Sequence, residues 1–207
     1  MFCKNWTKKE WLRCLLCFVI YFALILGSEL PGFASPLYWV LCPVAAAFLG
    51  AGPLTCVMNM GKGLGGAAAL PALWFIVMKL MGEFSMPLMI IGMLCMMILA
   101  EVVRGSVGYE KKSSIRAATP FLSLIVFASF LPLYFQTDAY SNGALEEMGA
   151  EYAAKIASYG NFGMFLLVLV LCVIAGMISE RLSEKILKME EPERPIYLHN
   201  GEGRGAS

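Results

Sequence analysis

The sequence predicts an all-α membrane protein, a bundle of six transmembrane helices, and three observations carry that prediction. Hydrophobic residues make up 59% of the 207-residue chain, against about 45–50% in soluble proteins, and the mean hydropathy is +0.70. These residues gather in six long runs that lack period-two alternation, which selects helices over the strands of a closed barrel. Fourteen of the sixteen Lys and Arg fall on one side of an alternating path through those runs.

The expected spans are about 12–27, 37–58, 64–80, 86–103, 117–135 and 162–178. Several are shorter than the ~20 residues that cross hydrocarbon comfortably, so tilt or local thinning is expected. The basic residues are Lys4, Lys8, Lys9 and Arg13 before the first span, Lys62 after the second, and Arg104, Lys111, Lys112 and Arg116 after the fourth. Arg181, Lys185, Lys188, Arg194 and Arg204 follow the sixth. The positive-inside rule then places the chain in the cell membrane with both termini cytoplasmic. A cleavable signal peptide ending near Phe33-Ala34-Ser35 is the weaker reading, because an uncleaved first helix sorts the charges more cleanly. Residues 1–188 form one membrane domain in this reading; 189–207, polar and rich in Gly and charge, are expected to be a disordered cytoplasmic tail. The outer side holds Glu29, Glu83, Asp138, Glu146, Glu147 and Glu151 against Lys79 and Lys155, a balance that suits neutral or cationic ligands.

Several function classes are disfavoured. The net charge of +1 gives nucleic acid no footing. Gly61-Lys62-Gly63-Leu64-Gly65-Gly66 matches GxGxxG, but it joins two membrane helices rather than a strand and a helix, so it reads as a tight turn. The Walker pattern fails because Gly63 follows Lys62. His199, the one histidine, lies in the tail, and no triad or metal cluster assembles around it. Cys14 and Cys17 form a CxxC without a second pair, on a helix entering lipid where Cys behaves as a small hydrophobe. No formal charge occupies the middle of any run, so neither catalysis nor proton coupling within the membrane is expected, and no cofactor.

Small residues allow close helix contact at Ala23 and Gly27 on the first span and at Ala47 and Ala51, beside Gly50, on the second. Packing within the bundle and docking of a partner subunit both fit those faces. In the long outer loop Leu145, Met148, Tyr152 and Ile156 recur at helical spacing. They predict a short amphipathic helix across the outer mouth, an interfacial anchor or a lid, with Gly143 and Gly160 as flanking hinges. Trp39, Tyr134, Asp138, Tyr140, Glu151, Tyr152 and Asn161 gather at the same level. Most of the groups at this level are expected to be interfacial anchors and several to line a cavity, and these seven are the candidate ligand-binding pool. The carboxylates would meet a cationic or hydrogen-bond-donating group, and the aromatics would stack on a ring.

Phe130-Leu131-Pro132-Leu133-Tyr134-Phe135, Asp138-Ala139-Tyr140 and Met148-Gly149-Ala150-Glu151-Tyr152, with the Gly61-Lys62-Gly63 turn and the basic end of the last span, carry a family resemblance. The chain resembles the S components of energy-coupling factor (ECF) transporters and, more narrowly, the Trep_Strep or MptD-like family. The likeness in layout covers roughly residues 10–188. It implies six helices with cytoplasmic termini and high-affinity capture of a small vitamin-like molecule at the outer face. Uptake would be driven by partners, a transmembrane coupling subunit and two cytoplasmic ATPases. S components dock the coupling subunit through AxxxA on the first helix; here Ala23-xxx-Gly27 keeps the small size but not the residue. The alternatives left open are an intramembrane enzyme or assembly factor and a stand-alone facilitator.

Overall fold

Ser35 and Pro36 open the central helix of the protein. The Ser35 hydroxyl accepts from the Tyr38 amide at 3.4 Å, and Pro36 occupies a first-turn position whose N–H needs no helical partner. The computed structural model describes residues 8–82 and 86–187. Glu83, His199 and the tail expected at 189–207 lie outside the described residues.

Four helices are long and apolar enough to cross a membrane. They are α1 (Lys8–Glu29), α2 (Pro36–Met60), α4 (Pro87–Val107) and α10 (Phe162–Ile186), and they match the first, second, fourth and sixth expected spans. A 3-10 turn, Leu30–Ala34, joins α1 to α2. No strand occurs among the described residues.

The third and fifth expected spans take other forms. Over 64–80 the helix is α3 (Ala69–Leu80), only 12 residues long, or about 18 Å at 1.5 Å per residue. Glycines keep the preceding segment in turns, with Gly65 at φ 95°. Over 112–135 the path divides into α5 (Lys112–Ser123), α6 (Ile125–Ser129) and α7 (Leu131–Phe135). The second break has a local cause. Pro132 has no N–H to return to the Ala128 carbonyl, and its ring crowds that carbonyl, so the chain tightens at Phe130, whose amide bonds Phe127 instead at 2.9 Å. The segment between α7 and α10 forms two helices, α8 (Thr137–Met148) and α9 (Ala150–Tyr159), which meet at Gly149 with φ 88°.

The α2 helix is the hub, packed against α1, α5 and α10. Gly50 lets α1 approach it: a Cβ there would stand 3.0 Å from Tyr21 and 3.3 Å from Ile25. Ala47 and Ala51 are buried beside it, so the small face of α2 serves packing within the bundle. Ala23 and Gly27 differ, being exposed on α1 on the side away from α2, and nothing lies within 4 Å of a Cβ built on Gly27. Leu12, Leu15, Leu16, Val19 and Ile20 are exposed on the same helix, as a lipid-facing surface requires.

Candidate functional site

The two ends of the bundle carry different chemistry. At one end Lys62, Lys111 and Lys112 line a small recess, and Arg116 on α5 grips Glu184 on α10 with Nη2–Oε2 at 2.6 Å. The opposite end is aromatic. There Trp39 donates its indole N–H to the Tyr140 hydroxyl at 2.9 Å, tying α8 to α2. The Trp39 ring lies 5.5 Å from Phe33 and 5.9 Å from Phe130, and Phe130 lies 6.4 Å from Tyr140. Tyr134 on α7 packs 5.9 Å from Phe127 and 5.5 Å from Phe165. Such edge and offset contacts are those that ring quadrupoles favour.

Tyr152 on α9 completes the closure by donating its hydroxyl to the Gly32 carbonyl in the 3-10 turn. Burial raises the hydroxyl pKa of both Tyr140 and Tyr152 above the ordinary value. The Tyr134 hydroxyl differs from its neighbours, because its oxygen is buried and has no hydrogen-bond partner. A buried hydroxyl in that state is costly unless something outside the chain satisfies it.

Four of the seven residues in the candidate pool therefore meet in one cluster: Trp39, Tyr134, Tyr140 and Tyr152. The other three lie on the surface with local partners. Asp138 is exposed in the first turn of α8, where a carboxylate complements the helix dipole. Glu151 accepts from Lys155 at 2.9 Å, an exposed i,i+4 pair whose hydrogen bond pulls the Glu151 carboxyl below its ordinary range. Asn161 caps α10, accepting from the Met164 amide at 2.9 Å.

The roof has its joint at Gly149 rather than at the expected flanking glycines. Gly143 lies inside α8, with open space where a Cβ would stand. Gly160 is a packing position: a Cβ there would approach the Leu133 carbonyl to 2.6 Å. On the expected amphipathic face Ile156 is buried and Tyr152 half-buried, while Leu145 is exposed.

The expectation of an uncharged interior needs correction at the basic end, where Arg104, Glu101 and Glu180 are buried. Arg104 Nη2 donates to the Gly61 carbonyl at 2.8 Å and to the Met58 carbonyl, satisfying acceptors at the C-terminal end of α2. Glu101 Oε1 accepts from the Ala67 amide at 2.6 Å and the Ala68 amide at 2.9 Å, just ahead of α3. Each helix end leaves backbone groups without helical partners, and away from water a side chain must supply them. Both residues stand near the end of an apolar run, where hydropathy reads them as solvated. The signal that could have found them is their spacing, three apart on one face of α4 opposite a glycine-rich turn.

No curated protein and no solved structure matches the chain. A family model does, that of the family described as "Hypothetical bacterial integral membrane protein (Trep_Strep)", over residues 9–189. Apolar crossing helices fit that description, and the chain belongs to the Trep_Strep family of bacterial integral membrane proteins.

Proposed function

We propose that this protein is the substrate-binding S component of an ECF-type importer, capturing a small vitamin-like molecule at the aromatic end of its bundle. The observation that carries the reading is the unpartnered hydroxyl of Tyr134 within a ring cluster roofed by α8 and α9. A ligand with a planar ring and one polar group would stack on Trp39 or Tyr140 and complete the Tyr134 hydrogen bond. Asp138, exposed in the first turn of α8, would meet a cationic group, Glu151 would do so on leaving Lys155, and Asn161 caps the helix α10.

The reading needs six crossings with both termini cytoplasmic. The α3 helix with its preceding turns would be the third. The broken path α5–α7 would be the fifth, its 24 residues reaching about 36 Å at helical rise. The exposed Ala23 and Gly27 face of α1 suits docking of the coupling subunit, because small residues let another helix approach closely. Two cytoplasmic ATPases would power release, and this chain would carry out no catalysis. An intramembrane enzyme draws on the buried Glu101 and Arg104, but the hydrogen bonds of both go to backbone groups, which is a capping task.

The test is mass spectrometry of the small molecule that co-purifies with the native protein, repeated with Tyr134→Phe. The expected result is one molecule bound to the native protein and at least tenfold weaker binding by the variant. Accumulation of a solute by the purified chain alone in sealed vesicles would refute the reading.

A further inference from the structure

The apolar run of α10 gives way to polar turns that carry Ser179, Glu180, Arg181, Ser183 and Glu184. Two contacts fix the register of these turns against α5. Arg116 meets Glu184, and a Cβ built on Gly176 would collide with the Ser123 hydroxyl. Residues 116–123 of α5 therefore run against 184–176 of α10, which brings Glu180 level with Thr119 and Pro120. Gly176, Glu180 and Glu184 recur every four residues and so share one face of the helix. Glu180 is only 3% exposed there.

The seam around Glu180 is poor in donors. The Thr119, Ser123 and Ser183 hydroxyls each donate to the carbonyl four residues back on their own helix, so they offer neighbours only lone pairs. Glu180 Oε1 is buried and has no hydrogen-bond partner. The carboxyl does stand within hydrogen-bond reach of the Glu184 carboxyl, one turn along. Glu184 in turn holds Arg116, which donates from Nε at 3.2 and 3.3 Å and from Nη2 at 2.6 Å. Arg181 acts on Glu180 from its own helix, and α5 carries Lys112 one turn before Arg116. The α2 and α6 helices, which also pack on α10, contain no charged residue.

Two ionised carboxylates in that contact would repel, and a buried carboxylate without a donor escapes its cost by becoming neutral. Two carboxyls share a hydrogen bond only with a proton between them, and the pair then carries one negative charge, which Arg116 matches. We propose that Glu180 and Glu184 bind one proton between them and that this proton holds the basic end of α10 against α5. The Glu184 side chain, 12% exposed, gives the proton its way to water. The closed seam needs the proton and a hydrated seam does not. The contact is therefore tight while the pair is protonated and loosens as pH rises past the point of release. The site does not depend on the importer reading.

The experiment uses the full chain in detergent and infrared spectroscopy, which reads the C=O stretch of a protonated carboxyl. It is run at about pH 6, where an ordinary Glu with a pKa of ~4.3 is ionised. The native protein is expected to show the band. Glu180→Gln removes the acid itself, and Glu184→Gln sets an amide donor beside Glu180 and leaves Arg116 to it. Each variant should lose one carboxyl's worth of the band, whereas Glu147→Gln, at an exposed acid, should keep it whole. Hydrogen exchange over 112–123 and 176–186, corrected for its intrinsic pH dependence, should rise about tenfold in the native protein between about pH 6 and about pH 9. In Glu180→Gln, neutral at both, it should stay at the lower value. A native protein without the band overturns the proposal. So does full intensity in either Glu180→Gln or Glu184→Gln, loss of intensity in Glu147→Gln, or native exchange that pH does not move. Should one of the two paired variants fail to fold, the other decides the matter.

Discussion

Trp39 on α2 and Tyr140 on α8 are 101 positions apart in sequence, yet the indole N–H of one reaches the hydroxyl of the other at 2.9 Å. This bond fastens the roof of the aromatic end to the hub helix. Trp39→Phe and Tyr140→Phe each retain a ring and lose the bond. A double-mutant cycle on unfolding in detergent should give a coupling of about 1 kcal/mol, the usual net worth of such a bond. Additive losses would mean that the rings alone hold α8.

Tyr152 provides the other fastening, to the Gly32 carbonyl. Tyr152→Phe should speed hydrogen exchange through α9 and the 3-10 turn while the rest of the bundle stays protected. Lys155→Ala, which removes only the exposed pair with Glu151, should leave the exchange pattern unchanged.

At the basic end Arg104 supports the Met58 carbonyl of α2 and the Gly61 carbonyl that follows it. Arg104→Ala should destabilise the protein by about 1–3 kcal/mol for each carbonyl left without a donor. Gly66→Ala should act through the same residue, since a Cβ there collides with the Arg104 guanidinium and comes within 2.5 Å of the Gly61 carbonyl. Unfolding midpoints near that of the native protein in both variants would show that water reaches this corner.

Gly149 and Gly143 offer a matched comparison on the roof. Gly149 sits at φ 88° and ψ 170°, a region essentially confined to glycine, so Gly149→Ala should cost about 1–3 kcal/mol. Gly143 is interior to α8 with open space around it, so Gly143→Ala should stabilise by up to about 1 kcal/mol. Thermal midpoints followed by far-ultraviolet circular dichroism read both effects.

Ala23 points away from the bundle, so Ala23→Leu should leave the melting temperature of the isolated protein unchanged. Under the importer reading the same variant should fail to co-purify with the coupling subunit. Normal co-purification would remove α1 as the docking face.

Much of this was legible in the chain itself. Hydropathy located α1, α2, α4 and α10, because a backbone in hydrocarbon must satisfy its own hydrogen bonds and only long apolar helices do so, but it ended the last at 178 where the polar turns to Ile186 remain helical. The same pattern could not see that Pro132 divides the fifth run or that glycines shorten the third, since apolarity continues through both. The aromatic residues Trp39, Tyr134, Tyr140 and Tyr152 announced themselves by type and level. That Asp138 and Asn161 stay on the surface did not follow: both were settled by where the helices beginning at Thr137 and Phe162 start.

The sequence by itself determined the class of the protein, its helical state and the asymmetry of its charge, all of which depend on local composition and on lipid as solvent. Only the tertiary structure decided that Arg104 and Glu101 are interior groups. Their partners, Met58 and Ala67, lie 46 and 34 positions away, and the need for a cap arises where two helix ends meet out of reach of water.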